Sequence, residues 1–210
     1  IHHGLPETLH RPNYDPRGGY FAFLGRISPE KRPDRAIAIA EAAGIPLKIA
    51  AKVDRADRKY WRETIEPLLH GKNVEFVGEI DERRKSDFLG NALALLFPVD
   101  WPEPFGLVLI EAMACGTPVI ASTTSSLPEV VGDAGLLVDP EDVDALAAAM
   151  DRVLADAGLR EKMRAAGLER ARHFTWEAAA RKTADSYRRA LARQGPAAGA
   201  DETRGRTRRF

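Results

Sequence analysis

Short apolar runs alternate with longer helical stretches between Tyr20 and Val138, and this alternation constrains the fold more than any other feature. The apolar runs are rich in β-branched or aromatic residues. They lie at residues 20–25, 47–53, 74–78, 93–98, 118–122 and 135–138. Strands that alternate with helices favour a parallel sheet with helices on both faces. The sequence therefore predicts an α/β fold with a doubly wound parallel sheet of about six strands.

The chain beyond Val138 carries helical patterns in place of further strands. Asp139 with Pro140 after it predicts the start of one helix, because an aspartate N-cap followed by proline is a common helix entry. Thr175 is predicted to cap the last helix. We divide the chain into an N-terminal segment, a sheet domain, a C-terminal helix and a disordered tail. These parts are residues 1–17, 18–174, 175–193 and 194–210.

Composition argues against several classes of protein. The 210 residues carry 31 basic and 31 acidic side chains, so the net charge is zero and no nucleic-acid partner is expected. The basic end of the chain, RGRTRRF, is interpreted as solvated. A single cysteine, Cys115, permits no internal disulfide and fits a reducing cytosol. No apolar stretch approaches the roughly 20 residues of a membrane span.

The loop GRISPEKRP at residues 25–33 directly follows the first predicted strand. Ligands of open parallel sheets bind at the carboxyl ends of the strands, which is where this loop lies. Arg26 and Lys31 can converge there on one anion, since a planar guanidinium and a compact ammonium both suit phosphate oxygens. An equally weighted alternative is an ordinary helix entry with solvated surface cations.

The stretch WPEPFGLVLIEAMACGTPV at residues 101–119 predicts a helix that begins near Phe105 to Leu107, after the fourth strand. The free backbone N–H groups and the positive dipole end of such a helix form an anion site at the same sheet edge. Gly106 lets a ligand approach the backbone closely. Glu103 lies in the loop that borders this site.

Glu111 is a carboxylate in the middle of an otherwise apolar helix. A buried charge is costly unless it is paired or hydrogen-bonded, so three arrangements remain open. Glu111 pairs with a structural Arg or Lys, or it lies on a narrow solvent-facing strip. In the third arrangement it accepts hydrogen bonds from ligand hydroxyls, as carboxylates do from a ribose in other nucleotide-binding sheets.

The sequence contains little evidence for other catalytic, nucleotide-binding or metal-binding motifs. Asp142 and Asp144 match an Asp-x-Asp metal motif, but they follow Pro140 at a helix start, where acidic residues suit the helix dipole, and they are interpreted as capping residues. The chain has no His-Glu-x-x-His, Gly-x-x-x-x-Gly-Lys or Gly-x-Ser-x-Gly motif, and no Gly-x-Gly-x-x-Gly follows the first strand. No metal site is predicted. The five histidines are interpreted as surface or packing residues: His2, His3, His10, His70 and His173.

Four stretches closely resemble the retaining family-four glycosyltransferases of the GT-B fold, in that family's order and spacing. They are GRISPEKR, NVEFVGEI, EPFGLVLIEAMACGTPVIAS and LPEVVGDAGLLVDPED, and the resemblance extends over about residues 18–192. It implies one of the two Rossmann-like domains of such an enzyme, the C-terminal domain that binds the nucleotide-sugar donor. Residues 1–17 then resemble the end of the interdomain linker, and 175–193 a helix that crosses back toward the other domain.

The resemblance also implies roles for individual residues. Arg26 and Lys31 would hold the donor diphosphate, Glu111 the ribose hydroxyls, and Glu103 the hydroxyls of the donor sugar. Backbone groups of three residues would bind phosphate or sugar, and two residues would lie beside the base. These are Phe105, Gly106 and Leu107, and then Val77 and Gly78.

The implied enzyme is a metal-independent, cytoplasmic hexosyltransferase, which in full length is free or peripheral at the inner membrane face. It would need no cofactor and would use a UDP- or GDP-sugar. The acceptor, a sugar, lipid or small molecule, would bind mostly to the N-terminal domain, so the isolated fragment would transfer no sugar.

Two departures from the family pattern leave details open. AAKVD at 50–54 replaces a common Gly-x-Gly turn beside the base, and TTSS at 123–126 replaces a common glycine pair near the sugar. Two alternative functions also remain. One is another GT-B activity, a sugar-nucleotide epimerase or a phosphorylase, and the other is a non-catalytic module that keeps the fold.

Overall fold

The structure is a computed structural model that describes residues 1–70 and 73–194. The predicted tail at 194–210 therefore lies outside the described residues, except for the backbone of its first residue. The same holds for Gly71, at which the pattern DRKYWRETIEPLLHG of residues 57–71 predicts the end of a single second helix.

The six strands form one sheet in which every neighbouring pair is parallel. The strands are β1 (Phe21–Arg26), β2 (Leu47–Lys52), β3 (Val74–Gly78), β4 (Ala94–Phe97), β5 (Val119–Ser122) and β6 (Leu136–Val138). Their order across the sheet is β3-β2-β1-β4-β5-β6. This is the order of a doubly wound Rossmann sheet, so the predicted fold class is confirmed.

Helices connect the strands and continue after the sheet. They are α1 (Pro33–Ala43), α2 (Arg58–Tyr60), α3 (Glu66–Leu69), α4 (Glu82–Gly90), α5 (Leu107–Ala114), α6 (Leu127–Val131), α7 (Val143–Ala155), α8 (Ala157–Ala171) and α9 (Trp176–Gln194). A π-helical turn at Trp61–Ile65 joins α2 to α3, where the sequence predicts one continuous helix. None of the described helices is long and apolar enough to cross a membrane.

Alternating side chains of the strands build an apolar core on each face of the sheet. In β1, Ala22 and Leu24 pack in one core with residues of α4, α5 and α6. Phe21 and Phe23 pack in the other core with residues of α1 and α7. All four residues of β4 are buried, as expected of a central strand that is covered on both sides. The two cores together fix the loops that leave the carboxyl ends of the strands.

The strand order reverses direction between β1 and β4, which lie side by side at the centre of the sheet. In open α/β sheets, the crevice outside the carboxyl ends at such a switch point is where ligands bind. Arg26 is the last residue of β1 and Lys31 lies in the segment that follows, while the loop after β4 carries Glu103 and Gly106. The topology therefore brings the two candidate segments to the same crevice.

The predicted start of α7 at Asp139 and Pro140 is wrong. The helix begins at Val143, and the carboxylate of Asp142 caps it by accepting a hydrogen bond from the backbone N–H of Ala145 at 2.8 Å. The carboxylate of Asp139 instead accepts from the N–H of Glu141 at 2.9 Å, in a turn before the helix. Both aspartates are suitable N-caps, but Asp139 lies in a turn before the helix, so Asp142 is the residue that caps it. The capping role predicted for Asp142 is confirmed.

Replacement of Asp142 by alanine is expected to lower the free energy of unfolding by about 1 kcal/mol, the usual cost of a lost N-cap. Asp139→Ala is the matched control, because it removes the same group three residues earlier without uncapping the helix. Urea denaturation of both variants measures the difference. A larger loss in Asp139→Ala would contradict the assignment of the cap.

The N-terminal segment packs against the end of α8 and the start of α9. The backbone N–H of Leu5 donates to the carbonyl of Phe174 at 2.8 Å, and a Cβ on Gly4 would lie 2.2 Å from the backbone nitrogen of Trp176. The hydroxyl of Thr175 accepts from the N–H of Ala178 at 3.1 Å, which confirms the predicted cap of the last helix.

Candidate functional site

A cavity of about 550 Å³ opens at the carboxyl edge of the sheet, at the switch point between β1 and β4. It is of a size that small-molecule ligands occupy in proteins. The carboxyl ends of β1 and β2 line it, together with residues from the loops after β1, β3 and β4. Six of the predicted site residues are among them: Lys31, Glu103, Phe105, Gly106, Leu107 and Glu111.

Arg26 is placed differently from the prediction. Its guanidinium lies 3.6 Å from a carboxylate oxygen of Asp57, 3.9 Å from one of Glu30 and 4.0 Å from one of Asp54. Among the described residues, Arg26 is not one of those that line the cavity, whereas Lys31 is. The expected convergence of the two cations is therefore not observed, because three carboxylates lie close to the guanidinium. A role for Arg26 in binding phosphate stays a prediction.

The loop after β3 reaches the cavity two residues later than expected. Glu79 and Ile80 line it, while Val77 lines a separate hollow beside Phe88. Gly78 has a backbone φ of 82°, which turns the chain between these positions. A position beside the base, predicted for Val77 and Gly78, remains untested.

Lys31 and Glu103 form an ion pair inside the cavity. Glu103 is 7% exposed, and its carboxylate accepts from the Lys31 ammonium and, at 2.9 Å, from the indole N–H of Trp101. The ammonium also lies 5.5 Å from the ring centroid of Phe97. Such a buried pair holds both charges in place, because separating either one from its partner leaves an uncompensated charge.

The TTSS segment anchors the loop that carries Glu103. The hydroxyls of Ser125 and Ser126 donate to the carbonyl of Glu103 at 3.0 and 2.7 Å. Ser125 has a φ of 54°, the left-handed conformation that favours glycine. Serine therefore makes the turn that a glycine would make, and its hydroxyl compensates with a hydrogen bond.

A second left-handed residue ties the two loops of the cavity together. Arg32 has a φ of 54° and directly follows Lys31. Its guanidinium bonds to Asp34 in its own segment and to Asp100 in the loop after β4. Arg35 also pairs with Asp100, at 2.9 Å. These ion pairs hold Lys31 opposite Glu103 across the crevice.

The start of α5 faces the same cavity. The helix begins at Leu107 as predicted, and Gly106 before it has a φ of 82°. A Cβ on Gly106 would lie 2.9 Å from a methyl group of Leu109 and 3.0 Å from one of Leu127, so a side chain does not fit there. The first backbone N–H groups of α5 thus lie beside Lys31 and Glu103, where they suit an anion.

His3 is a cavity residue that the sequence interpretation missed. It lines the cavity, and its ring lies 5.1 Å from that of Phe105. No local pattern marks His3, since its position depends on how the N-terminal segment packs on the distant start of α9.

Glu111 has a lysine partner, which is one of the three arrangements that the sequence left open. The side chain of Glu111 is 11% exposed, and Lys85 of α4 donates to its Oε1 at 2.9 Å. The same ammonium pairs with Glu82 at 2.7 Å. All three residues line the cavity, so this ion pair does not exclude a ligand at Glu111. The ribose role stays a prediction.

Among the described residues, one group of side chains has a spacing that would suit a metal ion. The ammonium of Lys85 supplies the positive charge at this group. His10, Glu82 and Glu111 have ligand atoms within 4.8 Å of one another, and Lys85 bonds to both carboxylates. Burial by itself lowers the pKa of Lys85, but the hydrogen bonds to Glu82 and Glu111 outweigh burial and raise that pKa above its usual value. The ammonium therefore stays charged and compensates both carboxylates.

Comparison with known proteins connects this chain to one family. The family model described as glycosyl transferases group 1 matches residues 9–170. O-antigen chain mannosyltransferase B of Escherichia coli is 30% identical over 175 residues, 81% of this chain and 46% of that protein. D-inositol 3-phosphate glycosyltransferase of a Nocardioides species is 35% identical over 209 residues, 90% of this chain and 43% of that protein.

A solved structure supports the same assignment. Sucrose-phosphate synthase from Thermosynechococcus elongatus superposes with a TM-score of 0.76 at 33% identity, covering 91% of this chain and 52% of that chain. This chain spans less than half the length of the two curated relatives. The family model covers most of the chain and the structures share one fold, so the chain belongs to the group 1 glycosyl transferases and has their GT-B type of fold.

Proposed function

We propose that this chain is the donor-binding domain of a retaining glycosyltransferase and that its cavity binds a nucleoside-diphosphate sugar. One observation carries the proposal: the cavity at the switch point brings the Lys31 ammonium, the start of α5 and the Glu111 carboxylate together. A diphosphate needs cationic and N–H donors, and a ribose needs an acceptor for its hydroxyls. The cavity offers both.

Catalysis by such a site is positioning and charge stabilisation. The departing diphosphate gains negative charge as the sugar leaves, and Lys31 with the N–H groups of α5 stabilises that charge. An ammonium has three protons, so Lys31 can keep its bond to Glu103 and still donate to phosphate. Glu103 is assigned to the hydroxyls of the sugar and not to nucleophilic attack. Its bonds from Lys31 and Trp101 hold the carboxylate in a fixed orientation.

The acceptor is assigned to the part of the enzyme that this chain does not contain. The chain spans 46% and 43% of its two curated relatives, whose names indicate different acceptors. We therefore expect the isolated chain to bind the nucleotide of the donor and to transfer no sugar. A UDP or GDP donor remains the expectation from the resemblance.

Calorimetric titration of the chain with UDP, GDP and ADP tests the proposal. We expect at least one of them to bind with a Kd between about 1 μM and 1 mM, the usual range for enzyme substrates. Glu111→Gln is expected to weaken that binding on the order of tenfold, because an amide is a poorer acceptor than a carboxylate. Arg26→Ala tests the other predicted phosphate ligand in the same way.

Glu63→Gln is the matched control for Glu111→Gln, since Glu63 is an exposed carboxylate on the π-helical turn, 65% exposed. It should bind the nucleotide as the parent chain does. The proposal fails if none of the three nucleotides binds, or if both Glu111→Gln and Arg26→Ala leave the affinity unchanged.

A further inference from the structure

We propose that Lys85 is a positioning residue of the donor site, which orients the Glu111 carboxylate toward the ribose hydroxyls. The inference rests on the proposed function, because it assumes that a nucleotide occupies the cavity. It assigns a role to α4, a helix that the sequence motifs did not include in the site.

The burial of Glu111 makes a partner necessary. The other residues of α5 from Val108 to Met113 are buried and apolar, so a carboxylate at position 111 has few neighbours that can solvate it. A buried carboxylate without compensation is strongly disfavoured. Lys85 provides the compensation from the neighbouring helix α4, at a distance of 2.9 Å.

The geometry leaves Glu111 able to bind a ligand. Lys85 donates to one carboxylate oxygen, Oε1, and an ionised carboxylate has about four acceptor positions on its two oxygens. The remaining positions suffice for two neighbouring hydroxyls. Because the bond to Lys85 restricts rotation of the carboxylate, the ribose meets an acceptor that is already oriented.

Glu82 holds the Lys85 ammonium from a second side, and His10 nearby adds no competing charge. Glu82 accepts from the same ammonium at 2.7 Å and is itself 59% exposed, so it ties Lys85 to the rim of the cavity. His10 is 7% exposed, and burial lowers its pKa although the nearby charge of Glu111 opposes this. A neutral His10 therefore adds no positive charge that would compete with Lys85 for the two carboxylates.

The experiment measures whether Lys85 acts on the ribose. The chain is titrated by calorimetry with whichever of UDP, GDP and ADP binds most tightly, and with the 2′-deoxy form of that nucleotide. Lys85→Met removes the ammonium and keeps the length of the side chain, and Lys85→Arg restores a cation. Lys52→Met is the matched control, because Lys52 also lines the cavity but pairs with Asp54.

We expect Lys85→Met to weaken binding of the ribonucleotide on the order of tenfold, the size of a lost charged hydrogen bond. Binding of the 2′-deoxy nucleotide should change much less, because it lacks one of the hydroxyls that Glu111 would accept from. Lys85→Arg should recover most of the affinity. Lys52→Met should affect the two nucleotides equally if it affects them at all.

Two results would overturn the inference: unchanged ribonucleotide binding in Lys85→Met, or equal weakening for the ribo and deoxy forms. If Lys85→Met does not fold, Glu82→Gln replaces it, since that variant loosens Lys85 without leaving Glu111 unpaired. Glu82→Gln should weaken binding of the ribonucleotide by a smaller factor and should not weaken binding of the 2′-deoxy form. Unchanged ribonucleotide binding in this variant would reject the inference. A parent chain that binds no nucleotide would instead reject the proposed function, so the two failures are distinguishable.

Discussion

Replacement of Lys31 by methionine is expected to abolish measurable nucleotide binding and to lower the free energy of unfolding by about 2–4 kcal/mol, slightly less than the roughly 3–5 kcal/mol lost when a fully buried ion pair is broken. The side chain of Lys31 is 20% exposed and that of Glu103 is 9% exposed, so water can compensate little of the lost charge. Two side-chain donors now reach the Glu103 carboxylate, the Lys31 ammonium and the Trp101 indole N–H. Only the indole N–H would remain in the variant. Calorimetry and urea denaturation measure the two effects.

A second variant separates stability from binding. Lys31→Met combined with Glu103→Gln removes the unpaired charge, and the amide oxygen still accepts from Trp101. We expect this double variant to recover most of the lost stability but none of the nucleotide binding. Lys59→Met is a control for the substitution itself, because Lys59 is 79% exposed. Exposed substitutions of this kind usually change stability by less than about 0.5 kcal/mol. A Lys31→Met chain as stable as the Lys59→Met control would contradict the assigned ion pair.

Replacement of Gly106 by alanine is expected to lower the free energy of unfolding by about 2–3 kcal/mol, combining backbone strain with overpacking. The backbone φ of 82° disfavours any side chain, and the new Cβ would lie within 3.0 Å of methyl groups of Leu109 and Leu127. The side chains of Leu109 and Leu127, or the start of α5 itself, must therefore shift. Since the N–H groups of α5 are the proposed phosphate donors, nucleotide affinity should fall in the same variant.

Gly19→Ala is the matched control for Gly106→Ala. Gly19 has a φ of 63°, and a Cβ there would meet no atom within 4 Å. It therefore reports the backbone cost by itself, about 1 kcal/mol, because only the left-handed conformation is at stake. The difference between the two variants gives the cost of the close contacts at α5. Equal losses would show that the contacts with Leu109 and Leu127 carry no energy.

The fold class could be predicted because the pattern of apolar and polar residues within each segment indicates its secondary structure. Apolar runs such as 93–98, with no polar face, are typical of a central strand, and the structure buries all four residues of β4. The start of α5 at Leu107 follows from the glycine before it and the apolar run after it. The order of the strands across the sheet could not be predicted in this way, because it depends on which strand edges meet and not on any one segment.

The partners of the site residues could not be predicted, because they come from distant segments. Lys85 lies in a polar helix that looks like an ordinary surface helix, and only the packing of α4 beside α5 brings it to Glu111. His3 reaches the cavity through the packing of the N-terminal segment. Arg26 and Lys31 are only five residues apart in the sequence, but two carboxylates from the loop after β2 lie beside Arg26. The spacing of Arg26 and Lys31 in the sequence does not reveal that carboxylates from another loop lie beside Arg26.

The capping residue of α9 was predicted correctly, whereas the start of α7 was not. Thr175 caps α9 as expected, because no second candidate precedes that helix closely. At α7, Asp139 and Asp142 are both good caps, and the energy difference between them depends on a single turn of chain. Patterns of residue type identify such a helix and leave its first residue ambiguous.

A crystal structure of the chain with its best-binding nucleoside diphosphate tests the central claim most directly. We expect the diphosphate within about 3 Å of the Lys31 ammonium and of the first N–H groups of α5, the usual hydrogen-bonding distance. We also expect both ribose hydroxyls on the carboxylate of Glu111, with Lys85 still bonded to its Oε1. A nucleotide bound outside this cavity, or one whose ribose lies away from Glu111, would refute the proposed donor site.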